Sequence, residues 1–273
     1  MSVFKKSLKL SMAVALLCLS ILSLVSCRKK TENGVTVIKV GTGNAYPPYT
    51  YQDESGELTG YEKALLDAID EKLPQYKFKY QVFEFKNILT ALAIGNIDIG
   101  AHQFEENDER RAEYLFSNEG YNDYTSYIAY LEGGVAYQTL KELEGMTIAI
   151  TPGSNHAYII KEYNKTAGIP IKVVYFETSS TDVLIANLET GVANASLLTK
   201  SNIDAWNAQR KKKLIASTEP VYVSQAYYLF KKGSIELQQA VDGALRELKQ
   251  SGKFDSIYKQ YITDYYTAMG VKE

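Results

Sequence analysis

Two stretches of this chain carry the same pattern: a helix closed by a glycine that hands over to a short apolar strand. From Lys86 to Ile94 the side chains of Ile88, Leu89 and Leu92 fall on one helical face, Gly95 stops the helix, and Asn96 to Ala101 reads as a buried strand. Further on, Ser179, Ser180 or Thr181 can cap a helix that Gly191 ends, and Val192 to Leu198 reads as the strand after it. Placing Gly95 on Gly191 puts Leu92 on Leu188, Leu89 on Ile185, Asp98 on Asn194 and Gln103 on Thr199. Each helix must bury its apolar stripe on a sheet, and parallel strands need long crossovers, so the repeat points to an α/β chain of two similar lobes.

The flanking segments fit that plan. Val35 to Val40 alternates as a first strand, a helix from Tyr61 presents Ala64, Leu65, Ala68, Ile69 and Leu73 on one face before Pro74, and Tyr76 to Val82 alternates as a second strand. In such a β-α-β-α-β order ligands gather at the carboxyl ends of the strands, where the loops at 41–49, 83–87 and 102–110 lie. The second half repeats it with strands at Met146–Ile150 and Lys172–Phe176 and a helix entered through Pro152-Gly153-Ser154-Asn155. Two aromatic-rich extended segments, Tyr121–Leu131 and Val221–Phe230, are placed to cross between lobes and serve as a hinge. The tail is helical, with Leu237, Val241, Leu245 and Leu248 on one buried face and Phe254, Ile257, Tyr258 and Tyr261 on a second helix.

At the N-terminus Lys5, Lys6 and Lys9 precede an uncharged run, Leu10 to Ser26, which is short for a membrane span and suited to a secretory signal. Leu24-Val25-Ser26-Cys27 closes the run and resembles the lipobox of bacterial lipoproteins, in which the cysteine thiol takes the lipid and cleavage falls just before it. Residues 1–26 are then a leader and 27–34 a polar tether. Cys18 leaves with the leader, so neither a disulfide nor a cysteine nucleophile is expected. The formal charge of −2 leaves no basic surplus for a nucleic acid, and the two histidines, His102 and His156, lack metal-ligand spacing, so neither a metal nor another cofactor is expected.

Polar chemistry concentrates between residues 102 and 110. Asn107-Asp108-Glu109 reads as a helix start, a capping side chain followed by two acids at the positive end of the dipole, and Arg110 follows in that first turn. Free NH groups and a guanidinium form a receptor for a carboxylate or phosphate. The competing reading pairs Arg110 with Glu106 or Glu113 on the helix surface. Tyr46-Pro47-Pro48-Tyr49 stiffens the loop after the first strand and presents aromatic rings, either as a ligand platform or as loop packing.

Taken in order, the lipobox, Tyr46-Pro47-Pro48-Tyr49, Gly56-Glu57-Leu58-Thr59-Gly60-Tyr61-Glu62, Arg110 followed by Phe116-Ser117 and Tyr121, and the Thr151–Asn155 turn resemble the polar amino-acid class of extracellular solute-binding proteins of ABC importers. The loop from Gly41 to Tyr49 and the segment from Ala101 to Arg110 are most similar to binders of cystine and related sulfur-containing amino acids. The resemblance implies a type II periplasmic-binding fold, each lobe a mixed, mostly parallel sheet flanked by helices, with lobe one at 35–122 and 226–273 and lobe two at 123–225. It implies that Tyr46 stacks on the ligand, Phe85 forms a second wall, Gln103 and Glu105 meet its carboxylate and amine through backbone groups, Arg110 clamps the α-carboxylate, and Ser154 and Asn155 donate to it. It also implies a monomer outside the cytoplasm, tethered by lipid on Cys27, that gives an amino acid to the importer's membrane subunits. The class places an aspartate for the α-ammonium where this chain has Thr199, so the amine needs another acceptor, such as Glu105 or a backbone carbonyl. Alternatives are a dehydratase-like enzyme on the same fold, with Glu105 as acid or base, and a sensing module for a surface receptor. Arg110→Ala is expected to abolish ligand-induced thermal stabilisation with little change in the unliganded chain.

Overall fold

The computed structural model describes residues 31–32, 34–176 and 181–271. The leader, Cys27 and the candidate caps Ser179 and Ser180 lie outside the described residues. Contacts divide the chain at Val37. Of the first unit the described part is a hairpin in which β1 (Thr31–Glu32) pairs antiparallel with the start of β2 (Val35–Thr42).

The second unit, from Ile38 onward, carries two mixed sheets. After β2 the chain makes a small antiparallel sheet of β3 (Ala45–Tyr46), β4 (Thr50–Gln52) and β5 (Leu58–Thr59). Helix α1 (Tyr61–Lys72) follows and buries Leu65, Ala68 and Ile69, the stripe that the spacing predicts, together with Tyr61, Glu62 and Leu66. Next come β6 (Tyr76–Val82), α2 (Phe85–Ala93), β7 (Ile99–Glu105), α3 (Asp108–Glu113), β8 (Tyr114–Phe116) and β9 (Asn122–Asp123). Strand β7 lies beside β2 in parallel, as expected of a β-α-β unit.

The strand expected at Asn96–Ala101 starts and ends later. Gly95, at φ 78°, ends α2, but the strand runs from Ile99 to Glu105 and all seven of its residues are buried. The loop expected at 102–110 therefore shrinks to Glu106 and Asn107. Polar composition did not end the strand, because His102, Gln103 and Glu105 find hydrogen-bond partners inside the protein. The same shift moves the strand expected at Val192–Leu198.

In the other sheet β10 (Ser126–Leu131), β11 (Thr147–Ile150), α4 (Asn155–Asn164), β12 (Lys172–Tyr175), α5 (Thr181–Glu189), β13 (Ala195–Thr199), α6 (Lys200–Gln209) and β14 (Leu214–Ala216) follow in turn. Its strand order is β12-β11-β13-β10-β14, parallel around β11 and antiparallel around β10. The chain then returns as β15 (Gln225–Lys231), which inserts antiparallel between β7 and β8 in the first sheet. Helices α7 (Ile235–Gln250), α8 (Lys253–Tyr258) and α9 (Asp264–Ala268) close the chain, and Leu237, Val241, Leu245 and Leu248 are all buried against that sheet's core.

The two passages between sheets run side by side. Tyr121 N–H donates to the Ala226 carbonyl at 3.0 Å, Tyr124 N–H to Ser224 at 2.9 Å and Ser126 N–H to Tyr222 at 2.8 Å. No helix among the described residues is long and apolar enough to cross a membrane.

Candidate functional site

A cavity of about 730 Å³, its open mouth included, lies between the carboxyl ends of the strands, and every side chain singled out for the ligand, from Tyr46 to Thr199, lines it. Asn107 caps α3 as the sequence predicts, its side chain accepting the Arg110 N–H at 2.8 Å. That cap turns the Arg110 side chain inward, where it is 6% exposed. Its Nη1 donates to the Glu105 carbonyl at 2.7 Å and its Nη2 to the Gly153 carbonyl at 2.9 Å, while the guanidinium lies 5.2 Å from the centre of the Phe104 ring. The surface pairing with Glu106 or Glu113 is not what forms; Glu106 pairs with Arg111 instead.

From the second sheet, Ser154 caps α4 by accepting the Ala157 N–H at 3.2 Å. Asn155, fully buried beside it, donates to the Glu105 carboxylate at 3.1 Å and accepts from Asn107 Nδ2 at 2.9 Å. Thr199 ends β13 and caps α6, its hydroxyl accepting the Asn202 N–H at 3.3 Å.

The apolar side is a run of rings. Tyr46 meets His102 edge-on at 5.7 Å, His102 lies 5.5 Å from Phe85, and Phe85 stacks on Phe104 at 5.3 Å. Tyr49, the second ring of the proline loop, is packed into the core instead. The Tyr46 hydroxyl reaches Tyr124 at 3.0 Å and takes a hydrogen bond from Asn202 at 3.3 Å, closing one end of the cavity.

Burial sets the charges. It lifts the Glu105 carboxyl to about 7, against the opposing pull of Arg110 and Asn155. It holds both histidines near 4 and therefore neutral, with Arg110 adding to the effect at His156. The Gly43 N–H donates to His102 Nδ1 at 3.3 Å, which leaves the proton of the neutral ring on Nε2. His156 Nε2 bonds with the Ser126 hydroxyl at 2.8 Å. Gln103 adopts a left-handed backbone, φ 54°, its N–H on Glu62 at 3.2 Å and its side-chain oxygen taking a bond from Asn122 at 2.7 Å.

The sequence assigns neither histidine a role beyond excluding a metal site, yet both line the cavity, as do Tyr124, Ser196 and Asn202. Asn202 had a signal, since Thr199 with the asparagine three residues later is a capped helix start at a strand end. Tyr124 could be found only from its place on a crossing segment. Among the described residues no group of histidine, cysteine and acidic side chains is arranged to hold a metal.

The bacterial extracellular solute-binding proteins, family 3, match over residues 38–264. The chain is similar to the L-cystine-binding protein TcyJ of Bacillus subtilis, at 34% identity over 86% of this chain and 88% of that one. It is similar to TcyK of the same organism, also an L-cystine-binding protein, at 29% identity over 94% and 96% of the two chains. A solved structure from Listeria monocytogenes, proposed to belong to an L-cystine ABC transporter, superposes with a TM-score of 0.78 at 31% identity, covering 84% of this chain and 96% of that one.

Proposed function

The chain belongs to family 3 of the bacterial extracellular solute-binding proteins, and from that premise we propose that it captures a zwitterionic amino acid, cystine or a related sulfur-containing one foremost, and hands it to the membrane subunits of an ABC importer without chemistry of its own. The observation that carries the reading is the buried Arg110 guanidinium in an otherwise largely neutral, ring-lined cavity. Such a site suits a carboxylate attached to an apolar body. In this reading Arg110 and the α4 start, Ser154 and Asn155, hold the α-carboxylate, Tyr46 and Phe85 cover the side chain, and Gln103, Glu105 and Thr199 surround the amine. Lobe one, 35–122 with 226–273, and lobe two, 123–225, close on the ligand about the paired crossing segments. Contacts across the cavity, Arg110 with Gly153 and Asn107 with Asn155, support this reading. Lipid on Cys27 tethers a monomer to the membrane after removal of residues 1–26. The L-cystine-binding relatives favour cystine over the basic amino acids that more distant relatives bind.

A thermal-shift panel of L-cystine, L-cysteine, S-methylcysteine, glutathione and L-arginine tests this. Ligand at about a hundred times Kd adds about 2.7 kcal/mol of stability. L-cystine is expected to give the largest rise in melting temperature. A panel without any shift, or a new product seen by mass spectrometry after incubation, would count against a pure binding role.

A further inference from the structure

We propose that the side-chain carboxylate of Glu105 is the receptor for the ligand's α-ammonium group, so that one short segment, β7 running into α3, binds both charged ends of the zwitterion. The inference rests on the amino-acid reading above. Glu105 is 3% exposed, lines the cavity, and is the one acidic residue among the described residues that do so. Its neighbour Arg110 does not consume it: the guanidinium's hydrogen bonds go to main-chain carbonyls, that of Glu105 itself and that of Gly153. The carboxylate's one protein donor among the described residues is Asn155 Nδ2, on Oε1, which leaves it lone pairs for a charged N–H donor.

The other side-chain oxygens nearby are neutral, and most already accept a hydrogen bond. Thr199, the position at which an acid was expected, uses its hydroxyl oxygen to cap α6, and Ser154 does the same for α4. The Ser196 hydroxyl gives its proton to the Ala149 carbonyl at 2.8 Å and so offers only the lone pairs of a neutral oxygen, and Asn155 Oδ1 is taken by Asn107. A hydroxyl that accepts one backbone N–H is a weak partner for a desolvated ammonium; an ionised carboxylate with open lone pairs is a strong one. A zwitterion adds one charge of each sign to a site that holds one buried cation and one buried acid. The acid then sits on the same side of the cavity as the carboxylate clamp, rather than across from it.

Isothermal titration with two probes tests the assignment. L-cystine carries both ammonium groups, and 3,3′-dithiodipropionate has the same disulfide and carboxylates with none. The wild-type chain is expected to prefer L-cystine. Glu105→Gln, isosteric and uncharged, is expected to weaken L-cystine binding by roughly a hundredfold or more and to bind 3,3′-dithiodipropionate, which has no ammonium to lose its partner, no more weakly than the wild type does. Glu105→Asp keeps the charge and is expected to hold L-cystine more tightly than the glutamine variant. Glu105→Gln binding L-cystine like the wild type, or losing both probes alike, overturns the assignment and leaves the binding function standing. A wild-type chain that ignores L-cystine overturns the ligand reading on which the assignment rests.

Discussion

Arg110, in α3 beyond the end of β7, donates from Nη2 at 2.9 Å to the carbonyl of Gly153, in the turn between β11 and α4, so its guanidinium ties the two edges of the cavity together. This changes what Arg110→Ala should do. Removal leaves the buried Glu105 carbonyl without its donor as well, at a cost of about 1–3 kcal/mol. Ligand-induced stabilisation should vanish, as the sequence suggested, and the unliganded chain should also lose stability by about that amount in chemical denaturation. An unliganded chain unaffected by the substitution would mean that this contact forms only around ligand.

The Glu105 carboxyl gives binding a pH dependence of known sign. Burial raises it to about 7 in the empty cavity, and an ammonium partner favours the ionised form. Affinity for L-cystine is therefore full above pH 7 and falls below it, approaching tenfold per pH unit. Other titratable groups lining the cavity do not share that window: the Tyr46 and Tyr124 hydroxyls are pushed up, burial lowers Arg110 from a value so high that it keeps its charge, and His102 and His156 are held near 4, while Glu62, behind the site and also raised to about 7, is common to the wild type and Glu105→Gln. Titrations at pH 5.5, 6.5 and 7.5 should show a markedly steeper slope in the wild type than in Glu105→Gln. Equal slopes in both would place the proton elsewhere.

Glu62 lies behind the site, its Oε1 accepting the Gln103 N–H at 3.2 Å and the Tyr121 hydroxyl, its Oε2 the Thr50 hydroxyl at 3.0 Å. Despite three donors, burial lifts its pKa from the ordinary 4.5 to about 7. The folded chain thus binds this proton more tightly than the unfolded one. The resulting stability is fully present below pH 4.5 and is lost as pH rises through 7, by up to about 3 kcal/mol. The buried histidines act in the opposite sense below pH 6.5, so the comparison is made within a pair. From pH 5 to pH 8 the unfolding free energy of the wild type should drop relative to Glu62→Gln. Parallel curves for the two would rule out a raised Glu62.

How far the sequence carried depended on whether a feature is local. Helix faces such as Leu65 with Ile69, or Leu237 with Val241, follow from spacing, and Asn107 as a cap and Ser154 as part of a helix entry could be read because each is defined within four residues. The position of Arg110 in the first turn after its cap was legible for the same reason, but its inward course was not, since spacing alone allowed the surface pairing with Glu106 or Glu113 equally well. Nor was the course of β7. A central strand carrying His102, Gln103 and Glu105 is stable only because Gly43, Asn122 and Asn155 answer those side chains from 59, 19 and 50 residues away. The positive φ of Gln103 has no signature in a residue that is neither glycine nor asparagine, and the Glu62 carboxylate that takes its N–H arrives from another helix.

Gly43 offers the sharpest steric test of the ring wall. A Cβ at this position would stand 2.6 Å from His102 Cε1 and 2.8 Å from Nε2, well inside contact distance. The imidazole has little room to retreat, since Tyr46 and Phe85 flank it and its Nδ1 is held by the Gly43 N–H. Gly43→Ala should therefore push the ring into the cavity or move the loop that carries Tyr46. Either displacement costs about 1–3 kcal/mol in a packed interior. L-cystine affinity should fall with it, because the platform and the wall move together. Adding His102→Ala removes the atoms that collide, so the double variant should recover stability relative to Gly43→Ala while still binding less tightly than the wild type. If the single variant melts and binds as the wild type does, the close approach of Gly43 to His102 does not shape the cavity.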